Sequence, residues 1–389
     1  MKQKHIILRS DRMATRDIFR GPSPLEIAVP PEIKVEVDEL ERRDIPKLTR
    51  DAEVVAVAPA MPMKLVEPLD IHEATPEEAG NMAWGVKAVK ADTSPFTGNG
   101  IVVAVLDTGI DAAHPAFAGV ELVQRNFTDE DGADLHGHGT HCAGTIFGRN
   151  VGGTRIGVAP GVKRALIGKV LGEGGGSSEQ IVSAIQWAAE NGAHVISMSL
   201  GMDFPGFAKI LQEQGFPAEL AASRALEGYR ENVLLFERLA TLIRARSNPT
   251  LIVAAAGNES RREINSSFEL GVAPPAVSEG IISVAALGQG AGGFHVGDFS
   301  NTGANVSAPG IKIVSARLGG GLTTMTGTSM ATPHVAGVTA LWAERISRQG
   351  PITVLALTSR VVGSATFEGF DEGFDPFDAG LGIVIAPQE

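Results

Sequence analysis

Five short runs, residues 101–106, 165–170, 194–199, 251–256 and 281–286, are apolar at almost every position. A strand with one wet face alternates in polarity, so runs like these must be covered on both faces. Helical patterning fills the gaps between them. Ser177-Ser178-Glu179-Gln180 offers a capping box ahead of Ile181, Ala184, Ile185 and Ala188, whose spacing makes one apolar helix face. Buried strands alternating with helices predict an α/β fold built on a mainly parallel sheet. Residues 218–245 carry the strongest amphipathic signal, with Ala222, Leu226, Tyr229, Val233, Phe236, Ala240 and Ile243 spaced by threes and fours. That stripe is expected to pack on the sheet, with a coiled-coil partner surface as the alternative.

The first 75 residues read differently. Residues 33–37 alternate like a half-buried strand, 39–49 hold a short helix interrupted at Pro46, and 53–58 are strand-like again, which makes a small α+β unit. Pro59, Pro62, Pro68 and Pro76 then mark an extended linker. The expected organisation is this unit with its linker over 1–75 and a larger domain over 76–389. Glycine numbers 47 while aromatics are only 5%, so turns and close backbone approaches should carry the chemistry. The 45 acidic and 33 basic side chains leave a net charge of −12, and residues 1–70 hold 13 acidic against 12 basic, so nearly all the excess lies in the larger domain. Such a field repels a phosphate backbone and argues against nucleic acid as a partner. No stretch approaches a membrane span or a secretory apolar core, and one cysteine, Cys142, can form neither an intramolecular disulfide nor a thiolate zinc site. A cytoplasmic location with no membrane partner is the expectation. The acidic stretch with Glu368, Asp371, Glu372, Asp375 and Asp378 is interleaved with Phe367, Phe370, Phe374 and Phe377, which should pin it down.

Four segments carry chemistry. Val102-Val103-Ala104-Val105-Leu106-Asp107-Thr108-Gly109 is an apolar strand ending in a carboxylate. Ligands of open parallel sheets gather at such strand ends, although Asp-Thr-Gly also makes an ordinary turn. His136-Gly137-His138-Gly139-Thr140-His141-Cys142-Ala143-Gly144 sets histidines among small residues at a helix start. Metal ligation would want positions i and i+4 with an intervening acid, and His138 and His141 stand at i and i+3 with none. A general base needs only one imidazole, small neighbours and a carboxylate on its other nitrogen. Gly327-Thr328-Ser329-Met330-Ala331-Thr332-Pro333-His334 is a glycine turn leading into a helix, where a hydroxyl either meets the positive end of the helix dipole or simply caps it. Residues 251–258 end a buried strand in Gly257 and Asn258, whose amide suits an oxyanion or a turn.

In the order Asp107, His138, Asn258, Ser329, these motifs resemble the subtilisin-like serine peptidases, the subtilase family, over about residues 80–389. Lys169-Val170-Leu171-Gly172, Ser199-Leu200-Gly201 and Ala379-Gly380-Leu381-Gly382 also look like family segments, and HGTHCAG is similar to the proteinase K-like branch. The resemblance implies a three-layer α/β fold and a serine endopeptidase acting on peptide or protein substrates without a cofactor. Ser329 would attack the carbonyl, His138 would take its proton and return it, Asp107 would orient His138, and Asn258 with the Ser329 backbone N–H would hold the oxyanion. Gly174-Gly175-Gly176 and Ser199-Leu200-Gly201 match the edges that bind an extended peptide. Glu259 would favour a basic side chain at the mouth of the first pocket unless Arg261 and Arg262 cancel it. His136, His141 and His334 have no catalytic counterpart, and Cys142 looks like a small buried residue beneath the His138 helix. Asp129, Glu130, Asp131 and Asp134 either attract cationic substrate or form a solvated loop. The first 75 residues resemble the family's inhibitory prodomains, which makes this segment an internal partner of the groove and implies a zymogen cut within residues 65–82.

Two departures from the family pattern matter. The places of a calcium-binding carboxylate and loop hold Ala116 and Val151-Gly152-Gly153, which lack the oxygen ligands a hard cation needs, so no metal is expected there. An insertion near 203–230 should lie beside the groove, where excluding water favours an amine as the acceptor. A transpeptidase or macrocyclase is therefore the alternative activity, and a catalytically silent peptide-binding module the alternative class. Chelation with EDTA is expected to leave the thermal midpoint unchanged; a large fall seen by calorimetry would contradict the loss of that calcium site.

Overall fold

The structure, a computed structural model, describes residues 2–11, 32–246 and 248–389. Part of the amino-terminal unit, 12–31, therefore lies outside the described residues. Within it β1 (Gln3–Ser10) runs antiparallel to both β2 (Ile33–Leu40) and β3 (Val54–Pro59). Ile6, Leu8, Ile33, Ala56 and Ala58 fill its buried face. The helix expected over 39–49 shrinks to α1 (Ile45–Leu48), because β2 continues to Leu40 and Pro46, which has no N–H to donate, fits only a first turn. The expected linker is not free either. It docks as two strands, β4 (Pro62–Leu65) and β5 (Leu69–Glu73), before the short helices α2 (Pro76–Ala79) and α3 (Trp84–Ala88).

The larger body takes, in chain order, β6 (Val102–Asp107), β7 (Glu121–Asn126), α4 (His138–Phe147), β8 (Arg164–Lys169), β9 (Gly176–Ser177), α5 (Ser178–Glu190), β10 (Val195–Met198) and β11 (Leu200–Met202). There follow α6 (Phe204–Glu213), α7 (Ala218–Arg244), β12 (Leu251–Ala255), β13 (Ile281–Gln289), β14 (Phe294–Val296), β15 (Val306–Pro309), β16 (Ile313–Ala316), β17 (Leu322–Thr326), α8 (Thr328–Ser347) and α9 (Val354–Gly363). Eight strands form one sheet in the order β14-β13-β12-β10-β6-β8-β7, with β15 also against β13, and every pairing but β13 with β14 is parallel. The five apolar runs of the sequence are its centre. Successive residues of β6 feed opposite layers, since Val103 and Val105 pack with α4 and α8 while Ala104 and Leu106 pack with α5 and α7. That is the three-layer α/β arrangement. From β6 the chain builds β7 and β8 on one side and then β10, β12 and β13 on the other, so strand order reverses between β6 and β10, where open sheets form a crevice.

The capping box at α5 is formed, with the Ser177 hydroxyl accepting from the Gln180 N–H and the Gln180 side chain accepting from the Ser177 N–H. On α7 the carboxyl half buries Phe236, Ala240 and Ile243 as expected, but the amino half is offset. Ala221, Ala225, Gly228 and Asn232 are buried there, whereas Leu226 is 54% exposed. Close approach is the reason: a Cβ at Gly228 would stand 3.0 Å from Met61 Sδ and 3.2 Å from Pro59 Cγ, and Asn232 Nδ2 donates to the Pro59 carbonyl at 2.8 Å. This half of α7 thus packs on the amino-terminal unit rather than on the main sheet. Phe367, Phe370 and Phe374 cluster with ring centroids 4.8–5.6 Å apart and pin the acidic stretch, while Phe377 is exposed. Among the described residues no helix is long and apolar enough to cross a membrane. Ala225→Glu is expected to cost about 3 kcal/mol in urea unfolding and Leu226→Glu less than about 0.5 kcal/mol, an order the sequence stripe would reverse.

Candidate active site

Asp107 closes β6 and points into the crevice. Its Oδ1 accepts from the Thr108 N–H at 2.8 Å and from His138 Nδ1 at 2.7 Å. The helix carrying His138 comes this near only because residue 139 is glycine; a Cβ there would lie 2.2 Å from the Gly109 carbonyl oxygen. His138 is fully buried. Burial works against its cation, but the adjacent Asp107 carboxylate outweighs that and holds the imidazole well above its ordinary pKa. Among the described residues, the one cluster of three possible metal ligands is Asp107, His138 and Cys142, and the facing atoms of the first two are already bonded to each other.

The acidic loop before His138 is not simply solvated. Asp134 is buried and accepts from the Thr108 and Thr140 hydroxyls, at 2.9 and 2.6 Å, and from the N–H groups of His136, Gly137 and Thr140. It clamps the start of α4 to the end of β6. Burial pushes its pKa up, yet these donors bring the net value below the ordinary carboxylate range.

Ser329 sits in the first turn of α8. Pro333 lies inside that helix and has no N–H, which frees the Ser329 carbonyl four residues earlier. Ser199 Oγ, at 3.1 Å, and Cys142 Sγ, at 3.5 Å, donate to it instead. The same sulfur lies 3.8 Å from His138 Nδ1, so Cys142 spans the two helices beneath the pocket, and burial keeps its pKa raised. Asn258 is oriented by Thr328, whose N–H and hydroxyl donate to its Oδ1 at 2.9 and 2.8 Å and turn its Nδ2 to the groove. Gly327 leaves room for that amide, since a Cβ would stand 2.9 Å from Asn258 Nδ2.

The groove is filled by the chain itself. β4 lies antiparallel between β9 and β11, with Met63 opposite Gly176, Leu65 opposite Leu200 and Lys64 opposite Gly201. The Val66 N–H then donates to the Ser199 carbonyl at 3.4 Å, and the Val66 carbonyl accepts from Ser329 Oγ at 2.8 Å. Asn258 Nδ2 donates not to that oxygen but to the next, the Glu67 carbonyl, at 2.9 Å. His138 Nε2 is buried with no hydrogen-bond partner. Beyond Glu67 the chain pairs as β5 with β17, just ahead of Ser329.

Most sequence candidates converge here. Asp107, His138, Asn258, Ser329, Ser199, Leu200, Gly201 and Gly176 do, and Gly175 approaches the Met63 carbonyl closely. Gly174 is exposed in the adjoining turn, where an added Cβ would meet open space. Glu259 Oε1 lies 3.6 Å from Lys64 Nζ, and the Val66 side chain lies near Gly201. Arg262 cannot cancel it, being paired with Asp378 and Glu269. Burial holds His141 down to about 3 and His334 to about 4, so both are neutral, and each bonds a backbone carbonyl. His136 reaches Glu67 at 3.7 Å. Asp134, Thr328 and Pro333 were missed as site builders.

The sequence profile of the subtilase family matches residues 98–374. The thermostable alkaline protease of Halalkalibacterium halodurans is 32% identical over 363 residues, covering 91% of this chain and 82% of its own length. The major intracellular serine protease of Bacillus subtilis is 35% identical over 279 residues, 68% of this chain and 76% of that one. Among solved structures, fervidolysin from Fervidobacterium pennivorans, a keratinolytic enzyme related to subtilisin, superposes with a TM-score of 0.66 at 23% identity over 99% of this chain and 60% of that chain.

Asp134→Ala is expected to cost about 3 kcal/mol at neutral pH, because it strands several buried donors. A carboxylate with a depressed folded pKa stabilises above its unfolded value, near 3.9, and that stability is lost as pH falls through the folded value. The variant should therefore lose less on acidification than the parent in thermal melts between about pH 5 and 2; parallel curves would contradict the clamp.

Proposed function

The chain belongs to the subtilase family and is a subtilisin-like serine protease; from that premise we propose that it is made as a self-inhibited endopeptidase whose own residues 63–67 occupy the groove its substrates will use. Ser329 is the nucleophile, His138 the general base and then acid, Asp107 its orienting carboxylate. Asn258 Nδ2 and the Ser329 N–H are the oxyanion donors, and residues 1–75 are the inhibitory unit and linker, cut within that linker, with 76–389 as the catalytic domain.

The carrying observation is the mismatch at Val66. Its N–H and strand pairing are those of a bound peptide. However, the Ser329 proton is directed at the Val66 carbonyl and not at His138 Nε2, and Asn258 serves the wrong oxygen. A peptide shifted enough to bring the scissile oxygen onto Asn258 would release the Ser329 hydroxyl to His138. Attack then forms the Oγ–C bond while the hydroxyl proton passes to Nε2, and the developing negative charge falls on the oxygen between the two donors. Collapse breaks the C–N bond, with His138 giving its proton to the departing amine. Water, deprotonated by the same imidazole, then cleaves the ester and restores Ser329. The tight His138–Asp107 bond supports this reading, since it stabilises the cation formed at each proton transfer. The B. subtilis relative is named an intracellular protease, which supports a cytoplasmic site of action.

Intact-mass analysis is expected to find the 40.5 kDa wild-type chain cut between Val66 and Glu67 and the Ser329→Ala chain whole. Peptide hydrolysis should fall to background in that variant and about 10²–10³-fold in Asn258→Ala. Full activity in an uncut chain, or peptides joined rather than hydrolysed, would overturn the proposal.

A further inference from the structure

We propose that Asp203 and Glu259 form an acidic subsite that selects a lysine or arginine side chain two residues upstream of the residue whose carbonyl is attacked. This deepens the groove reading above and rests on it. With Val66 at the attacked position, the residue so placed is Lys64, set opposite Gly201 in the antiparallel register. Its Nζ lies 3.7 Å from Asp203 Oδ1 and 3.6 Å from Glu259 Oε1.

Both carboxylates are held in place by the catalytic body rather than by the lysine. Asp203 caps α6, accepting from the Gly206 N–H at 3.2 Å. Glu259 Oε2 accepts from Asn301 Nδ2 at 2.8 Å, which leaves Oε1 for the groove. The two come from opposite segments, one from the insertion after β11 and the other from the loop carrying Asn258. Among the described residues no other cation forms an ion pair with either of them. Arg262, three residues beyond Glu259, is already neutralised by Asp378 and Glu269. When the amino-terminal segment leaves, two fixed negative charges face one groove position with no counter-ion, and an incoming peptide meets them with whatever side chain it carries there. At 32% and 35% exposure these carboxylates are partly screened by solvent yet near enough to a bound peptide to be felt.

The test compares matched peptides with the acyl-side sequence Met-X-Leu-Val, where X is Lys, Arg, Met or Glu, on the processed enzyme. The expected order of kcat/KM is Lys and Arg above Met by about three- to tenfold, the effect of two partly exposed ion pairs, with Glu lowest. The Lys-to-Met ratio should approach one in 1 M salt, where the screening length is about 3 Å, and also in the Asp203→Asn/Glu259→Gln double variant. Glu259→Gln alone should give an intermediate ratio, which keeps the test available should the double variant not fold. Efficient hydrolysis with no preference for charge, or a preference that survives the double substitution, overturns the subsite and leaves the groove reading standing. Hydrolysis of none of the four peptides overturns both.

Discussion

The reversal of strand order between β6 and β10 is the constraint from which the site follows. A parallel sheet covered on both faces offers no lateral surface for chemistry, so function is confined to where the connections diverge. Asp107 ends β6, Ser199 follows β10 and Asn258 follows β12, so adjacent strands deliver a carboxylate, a strand edge paired with β4 and an amide to one rim. The helices α4 and α8, packed together on one face, bring His138 and Ser329 to the same rim from below.

What sharpens that rim is a set of small exceptions to regular structure. Pro333 removes one helical hydrogen bond, and the carbonyl it frees becomes the point where Ser199 and Cys142 tie α8 to its neighbours. Thr328 uses both its N–H and its hydroxyl on one amide oxygen and so decides which way Asn258 faces. Asp134 gathers donors from two segments and clamps the helix that carries His138. Each exchanges solvation or regularity for a fixed direction, which a preorganised site requires.

The strands, the order of the motifs and the capping box at Ser177 were legible because each is written in a local run of residues. The residues that orient the site were not. Asp134 sits in an acidic run whose composition says solvent, and its burial depends on Thr108 and Thr140 arriving from elsewhere. The stripe on α7 is misleading in its first half for a related reason. Hydrophobic spacing finds the greasiest face, whereas the buried face here is the thin one, with Ala221 and Ala225 buried and Gly228 set by close approach to Met61 and Pro59. Pro59, Pro62 and Pro68 do stand in extended chain, whereas Pro76 opens α2 at a first-turn position, and none of them could say that the extended chain would find two edges to pair with.

That pairing continues past the site. Upstream of Val66 the chain is held by β9 and β11; downstream, β5 is zipped to β17, the Thr323 hydroxyl donates to the His72 carbonyl at 2.7 Å, and Glu78 of the Thr75 cap accepts from His72 and Thr324. Breaking one covalent link between two such grips discards neither piece. On the proposed cut after Val66, the fresh amine at residue 67 would stay beside the acyl group it left, at the high effective molarity that favours resealing. Scission and unplugging would then be separate events, and the second, a peeling of strands, would set when the protease becomes available to anything other than itself.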